Sequence, residues 1–189
     1  MNTPAHIIFA AAAFARPGQP RRNIAALSGA IAPDLSLYLM AAAALASGAT
    51  PARVFNELYF SEAWQQVFAV DNSFLVWGAV ALVGVALRSE TLTVFALAAL
   101  LHLGFDFPLH HDDGRPHFWP LSDWVFESPV SYWDPRAYGR IAGTIEVAAC
   151  MALLVLLWRR FTGTAARWAI GVAGAALTGP AVLFGFMFS

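Results

Sequence analysis

The chain has 189 residues, of which 59% are hydrophobic and 12% charged, and its mean hydropathy is +0.59. This composition excludes an ordinary soluble domain and indicates an integral membrane protein. Eleven arginines and twelve acids leave a net charge of −1 without a basic face, so no nucleic-acid partner is expected. The single cysteine excludes a disulfide framework and a cysteine zinc site, so any metal must be held by histidine, aspartate or glutamate.

Apolar runs between charged residues predict the membrane-spanning helices. A span needs about 20 apolar residues at 1.5 Å rise each, and somewhat fewer where the bilayer adapts. Besides five long runs, the shorter run 3–15 predicts a short or partly inserted helix. The turn "RSET", residues 88–91, predicts a hairpin between the runs 73–87 and 92–107. The fold class expected is all-α: a polytopic membrane bundle of five to six transmembrane helices in one domain, 1–189. The five good candidates are 23–47, 73–87, 92–107, 141–158 and 168–188.

The arginines divide unequally between the two ends of this bundle. Seven lie on one set of connections and four on the other, which by the positive-inside rule places the first set in the cytoplasm. The outer segments 48–72 and 108–139 then face the periplasm of a bacterial inner membrane. The triplet at residues 13–15 resembles a signal-peptidase site, but no basic residue precedes the apolar run, so a cleaved signal is not expected.

The two outer segments differ from the spans in character. "FNELYFSEAWQQVFAV", residues 55–70, spaces apolar residues at helical intervals among polar ones, which predicts an interfacial amphipathic helix. The segment 108–139 is rich in tryptophan and proline, which predicts an aromatic outer loop at the level of the lipid headgroups.

Ionisable residues within the apolar runs are the most informative feature. Charge in the hydrocarbon costs roughly 2.5–3.5 kcal/mol on insertion scales, so each such residue needs a reason. His102 and Asp106 are four residues apart and share a helix face, which suits either two ligands of one metal or a simple hydrogen bond. The full set is His6, Asp34, His102, Asp106 and Glu146.

The other three have structural and functional interpretations. Asp34 follows Pro33, which removes a hydrogen bond to the Gly29 carbonyl, so Asp34 is either a cap in a broken span or an acidic ligand at a kink. His6 is either a ligand or an interfacial residue. Glu146 lies on a face of small residues and is a ligand, a general base or a partner for arginine. In this topology one outward cavity could hold all of them.

Three segments resemble a known family when taken in order. "TPAHIIFAAA", "SGAIAPDLS" and "LLHLGFDF" are similar to the LexA-regulated inner-membrane metal-dependent hydrolases, which carry an early His, a Gly-x-x-x-Pro-Asp and a late His-x-x-x-Asp. The resemblance covers about residues 1–125 and implies a metal site with hydrolase activity. The family's central His-Arg-Gly-x-Thr-His-Ser is replaced here by "VDNSFLVWG", in which Asp71 is a candidate substitute ligand. The matching residues are His6, Gly29, Pro33, Asp34, His102 and Asp106.

A more distant resemblance concerns "HLGFDFPLHHDD". The zinc phospholipases C and the single-strand zinc nucleases have a His-x-x-x-Asp helix that runs into Pro-Leu-His, with a longer spacing than the one between Asp106 and His110. This resemblance implies a multinuclear zinc site that activates water against a phosphoester.

The combined prediction is a membrane-embedded metal-dependent hydrolase acting on a phosphoester in a lipid or lipid-linked substrate. The metal is expected to be zinc, with manganese or iron as alternatives. Glu146 or Asp71 is expected as the general base, and Arg115 as the group that holds the phosphate. The expected metal ligands are His6, Asp34, His102, Asp106 and His110. Expected outside the ligand set, either as solvated groups at its mouth or as groups that contact the ligands, are His111, Asp112, Asp113 and His117.

Two other classes of function remain open at this point. The missing central histidines and the bulky aromatic segment favour a non-catalytic scaffold or accessory subunit, whose buried ionisable groups merely pair. Intramembrane acids could also form the ion path of a transporter, although the chain is small and shows no internal repeat.

Overall fold

The computed structural model describes residues 1–187, with side chains described as far as residue 178. It is all-helical, with 71% of residues in helix and no strand within the described part. Helical turns also lie at Pro51–Arg53, Val54–Leu58 and Pro135–Ala137. The seven longer helices of residues 1–187 are α1 Thr3–Phe14, α2 Pro20–Ala46, α3 Glu62–Asp71, α4 Phe74–Ala86, α5 Glu90–Asp106, α6 Gly139–Arg160 and α7 Thr164–Met187.

The predicted apolar runs coincide with helices. Helix α2, helix α6 and the stretch Glu62–Ala86 are each long and apolar enough to cross a membrane. That stretch contains α3 and α4, separated by a break at residues 72–73. The single amphipathic helix predicted over 55–70 is wrong, because the chain turns at residues 59–61 and its second half continues into the apolar stretch. Residue 188, the end of the last predicted run, lies outside the described residues.

Glycines allow neighbouring helices to approach closely at two places. A side-chain carbon at Gly29 of α2 would overlap the carbonyl oxygen of Phe95 in α5 and would lie 3.0 Å from the Cβ of Ala98. A side-chain carbon at Gly84 of α4 would lie 2.8 Å from the backbone nitrogen of Thr93 in α5. The first contact joins α2 to α5, and the second closes the predicted α4–α5 hairpin.

Helix α1 lies inside the bundle. It is short, as predicted, but it packs against α2, α5, α6 and α7, so it is not a peripheral helix. Ala5, Ile8 and Ala10 are each at most 1% exposed. Because its alanines present little bulk, neighbours can approach α1 from several sides, and this brings His6 to the centre of the bundle.

Arginines collect at the C-terminal end of α1. Arg22 donates to the Phe14 carbonyl at 2.5 Å, and Arg160 donates to the Ala12 carbonyl at 2.7 Å. These bonds satisfy carbonyls that the end of a helix leaves without a partner. Arg22 also pairs with Glu90. The connections after α1, before α5 and after α6 therefore meet at one end of the bundle.

The outer loop, residues 107–138, covers the opposite end, between α5 and α6. Ser73 caps α4 and donates to the Trp119 carbonyl at 2.5 Å. The Phe74 amide donates to the His117 carbonyl at 2.8 Å. These bonds fasten the loop to the break between α3 and α4, and so determine which loop side chains face the bundle.

Candidate metal centre

Three buried side chains from two helices meet beneath the outer loop. His6 comes from α1, while His102 and Asp106 come from successive turns of α5, one above the other. The Nε2 atom of His6 lies 3.0 Å from Asp106 Oδ1, and the Nε2 atom of His102 lies 2.9 Å from Oδ2. One ligand atom from each residue lies within 4.8 Å of the others, so the three could hold one metal ion. We call these three residues the Asp106 cluster.

The other two predicted ligands border this cluster. Asp34 Oδ1 lies 3.7 Å from His102 Nε2, and His110 Nε2 lies 3.6 Å from Asp106 Oδ1. The amino group of Met1 also donates to Asp106, at 2.6 Å. All five predicted ligands therefore come together around one carboxylate, although whether they bind a metal remains a prediction.

Hydrogen bonding prepares His102 to act as a ligand. Its Nδ1 atom lies 2.7 Å from the carbonyl oxygen of Ala30 in α2. Because a carbonyl oxygen can only accept, Nδ1 must carry the proton, and in the neutral ring Nε2 then presents its lone pair to the cluster. Metal-binding histidines usually have their second nitrogen held in this way.

Several buried atoms of the cluster lack well-directed hydrogen bonds. Both ring nitrogens of His6 and the Nε2 atom of His102 are buried without such a bond. The two Nε2 atoms nevertheless lie close to the Asp106 carboxylate. An unsatisfied buried polar atom costs about 1–3 kcal/mol. A divalent cation between the Asp106 carboxylate and the Nε2 atoms of His6 and His102 would satisfy those two nitrogens, so the residues present fit a metal.

A polar cavity of about 240 Å³ opens beside the cluster. It lies between the start of α1, the middle of α2, the segment around residues 59–72 and the outer loop. Among the residues that line it are Asp34, Tyr38, Tyr59, Asn72, Asp106, His110, Asp113, Arg115, His117 and Tyr132.

Arg115 brings a buried positive charge to this cavity. The residue is 8% exposed, and its guanidinium donates to Gln65 at 3.0 Å and to the Tyr59 hydroxyl. It also lies over the Phe68 ring, 4.6 Å from the centroid. Among the described residues no carboxylate lies within ion-pair distance of Arg115. Its hydrogen-bond partners are neutral, so the guanidinium can bind an anion, although carboxylates such as Asp113 line the same cavity.

Asp113 and His117 both line the polar cavity, which agrees with the second of their two predicted positions. Asp113 lines the cavity, and its Oδ1 lies 2.9 Å from His110 Nδ1. Burial alone would lower the pKa of His110, but the carboxylates of Asp106 and Asp113 raise it to about 9. Burial would raise the pKa of Asp113, but His110 and Arg115 hold it below its usual range. The Asp113 carboxylate therefore holds the Nδ1 atom of His110, and the Nε2 atom faces Asp106.

His117 is buried rather than solvated. It is 4% exposed, lines the cavity and donates through Nδ1 to the Asn72 carbonyl at 2.7 Å. Burial lowers the pKa of His117, although the Asn72 carbonyl opposes this shift, so the ring is neutral near pH 7. His111 and Asp112 do lie outside the cavity, and His111 bonds to the Ser128 carbonyl at 2.6 Å.

The two predicted general bases, Glu146 and Asp71, do not line the polar cavity. Glu146 accepts a hydrogen bond of 2.7 Å from Asn2 Nδ2 and lines a separate apolar groove, so it anchors the start of α1. Asp71 does not line the polar cavity, and the next residue, Asn72, does. The carbonyl of Asp71 accepts from the indole of Trp77 at 2.6 Å. Successive residues on a helix point about 100° apart, and that rotation turns the Asp71 carboxylate away.

Sequence reasoning also missed uncharged residues of the cavity wall. Tyr59, Asn72 and Tyr132 carry no charge and belong to no motif, so their only signal was polarity next to apolar segments.

Comparison with known proteins finds no matching family model, no matching curated protein and no matching solved structure. The resemblance to metal-dependent hydrolases therefore remains a prediction, and function must be inferred from the site itself.

Proposed function

We propose that the chain is a membrane-embedded, metal-dependent hydrolase that cleaves a phosphoester in a lipid or lipid-linked substrate. The observation that carries this proposal is the buried Asp106 cluster, with ligand atoms of three residues within 4.8 Å of one another beside a cavity that contains Arg115. Histidine nitrogen and carboxylate oxygen are ligands that zinc accepts, and manganese and iron share them.

The proposed membrane arrangement is a multi-pass bundle in a bacterial inner membrane, with the cavity facing the periplasm. Three stretches are apolar and long enough to span, and α1, α5 and α7 pack alongside them to give five to six spans. Arg22 and Arg160 lie at the end of α1 opposite the cluster. The positive-inside rule favours placing that end in the cytoplasm.

In this proposal His6, His102 and Asp106 hold the metal, with Asp34 and His110 able to complete the set. A divalent metal supplies a Lewis acid that activates water and polarises a phosphoryl oxygen. The chain orients the ligands and limits the access of water. The bond from His102 to Ala30 fixes which ring nitrogen faces the metal site, and the outer loop covers the site.

Arg115 and His117 have complementary parts in the proposed reaction. Arg115 holds the phosphate through charge-assisted hydrogen bonds. His117 is the neutral base that lines the cavity, so it takes the proton as water attacks phosphorus and returns it to the leaving alcohol as the ester P–O bond breaks. This role replaces the one predicted for Glu146 or Asp71.

Metal content and phosphate release test the proposal. Protein purified in mild detergent after metal-replete growth should carry zinc, manganese or iron, and should release phosphate or a headgroup from a phospholipid panel. His102→Ala and Asp34→Asn should lower both. The matched control is His111→Ala, which removes a histidine of the same loop that does not line the cavity. Only trace metal in the wild type, or equal activity in His102→Ala, contradicts the proposal and leaves a structural His–Asp cluster of a non-catalytic scaffold.

A further inference from the structure

A second cavity lies on the other side of the same turn of α5. It is an apolar groove of about 520 Å³ between α1, α5, α6 and the outer loop, within the size range of about 300–1,000 Å³ typical of ligand pockets. Phe105 and Leu109 line the groove, while Asp106 and His110 line the polar cavity. Met1 borders both, so a single wall separates an apolar compartment from a polar one.

The groove follows the axis of α6. Ile141, Ile145 and Ala149 line it at intervals of four residues, so it extends about 12 Å along the helix at 1.5 Å per residue. Its one carboxylate, on Glu146, is already bonded to Asn2. The groove therefore offers hydrocarbon contacts along a path from the level of the outer loop toward the middle of the bundle.

We infer that the polar cavity and the apolar groove together bind one phosphate-bearing lipid, with the phosphate against Arg115 and one acyl chain in the groove. This inference rests on the proposed function and adds the substrate class: an amphiphile bound by its chain as well as by its phosphate. Polarity supports the occupant, because the buried guanidinium of Arg115 donates to neutral oxygens and can bind a phosphate, whereas the groove is lined mainly by apolar groups.

The orientation of the groove supports the same occupant. A lipid in the outer leaflet has its phosphate at the headgroup level and its chains pointing toward the bilayer centre. The groove begins beside Tyr138, Val130 and the outer loop and continues along α6, so a chain in it would keep the direction that it has in the membrane.

Photolabelling in phosphatidylcholine nanodiscs tests the inference without relying on catalysis. The probes are phosphatidic acid with a diazirine in its acyl chain and diacylglycerol with the same chain but no phosphate. We expect phosphatidic acid to label residues 141–149 about tenfold more than diacylglycerol does, and Arg115→Gln to remove the difference, since one charge-assisted hydrogen bond is worth about that factor.

Two neighbouring alanines provide the variant and its control. Ala149 lines the groove, whereas Ala148 is exposed on the same helix and does not. Ala149→Phe should fill the groove and abolish the excess labelling, and Ala148→Phe should preserve it. Equal labelling of the wild type by the two lipids overturns the inference whether or not either variant folds, and so does undiminished labelling of a folded Ala149→Phe.

The two proposals fail in different ways. Selective labelling in a protein that binds no metal would refute the hydrolase and retain the lipid site. Metal-dependent phosphate release from a soluble phosphoester, without selective labelling, would refute the lipid site and retain the hydrolase.

Discussion

Gly29→Ala is a test of how the packing of α2 and α5 supports the site. Gly29 lies one residue before Ala30, whose carbonyl accepts the bond from His102. An alanine Cβ would overlap the Phe95 carbonyl oxygen and lie 2.9 Å from its carbon. These are backbone atoms of a packed helix, which cannot rotate away as the end of a side chain can. The two helices must therefore separate, and the contact between His102 and Ala30 must lengthen.

The magnitude follows from two opposing effects. Overpacking of this kind costs about 1–3 kcal/mol. Replacing a helix-interior glycine by alanine returns about 1 kcal/mol through the backbone. Because the clash involves backbone, we expect the upper part of the range and a net loss of about 2 kcal/mol, which corresponds to a fall in melting temperature of about 4–8 °C for a chain of this size.

The matched control lies in the partner helix. A side-chain carbon at Gly104 of α5 meets nothing within 4 Å, so Gly104→Ala should leave the melting temperature unchanged or raise it slightly. Thermal unfolding in detergent, followed by circular dichroism, measures both variants, and metal content after purification reports on the site. If Gly29→Ala melts at or above the wild-type temperature and retains full metal, the close packing of α2 on α5 does not position His102, and the reasoning is refuted.

Three other predictions follow from the same contacts. Removing metal with a chelator should lower the melting temperature by about 5–10 °C. This value assumes free metal at about 100-fold above its Kd, at which binding stabilises the protein by about 2.7 kcal/mol. An unchanged melting curve would argue against a bound metal. Glu146→Gln should retain phosphate release within about threefold, because loss of a true general base lowers rates by about 10²–10⁴-fold. Ser73→Ala should destabilise the protein by about 2 kcal/mol in thermal unfolding. The variant loses a helix cap and leaves the Trp119 carbonyl without its donor. An unchanged stability would show that the outer loop is fastened elsewhere.

The helices could be predicted because their signal is local. The run 141–158 lies within α6, Gly139–Arg160, and the run 23–47 matches α2, Pro20–Ala46, within a few residues. Charged residues and glycines end such runs abruptly, so hydropathy alone locates them. The central place of α1 was not predicted, because a short alanine-rich run indicates only that neighbours can approach and does not indicate how many will.

The helix-borne half of the site was predictable for a similar reason. His102 and Asp106 share a face by spacing, and each intramembrane charge requires a partner. That logic cannot assign the partner. Glu146 met the same criterion, yet it accepts a hydrogen bond from Asn2, because its direction depends on how α6 rotates against α1. Nothing local in the sequence of α6 encodes that rotation.

The part of the site that lies on the outer loop could not be predicted, because a segment of irregular backbone has no periodic sequence pattern. The sequence left open whether Asp113 and His117 were solvated or contacted the ligands, since a polar stretch after a span usually faces water. Their burial follows from contacts with distant parts of the chain, such as the bond from the Phe74 amide to the His117 carbonyl at 2.8 Å. Each of these contacts joins the loop to the break between α3 and α4.

That break also bears on the missing central histidines. The resemblance leads one to expect imidazoles at the segment that here reads "VDNSFLVWG", and their absence counted against catalysis. In the structure His117 donates to the carbonyl of Asn72, a residue of that segment, from 45 positions further along the chain. An imidazole with a fixed tautomer therefore lies at the same part of the cavity wall, supplied by the outer loop instead of the span. Because the chemistry of a site depends on which atoms converge and not on their order in the chain, the departure from the motif no longer implies an inactive site.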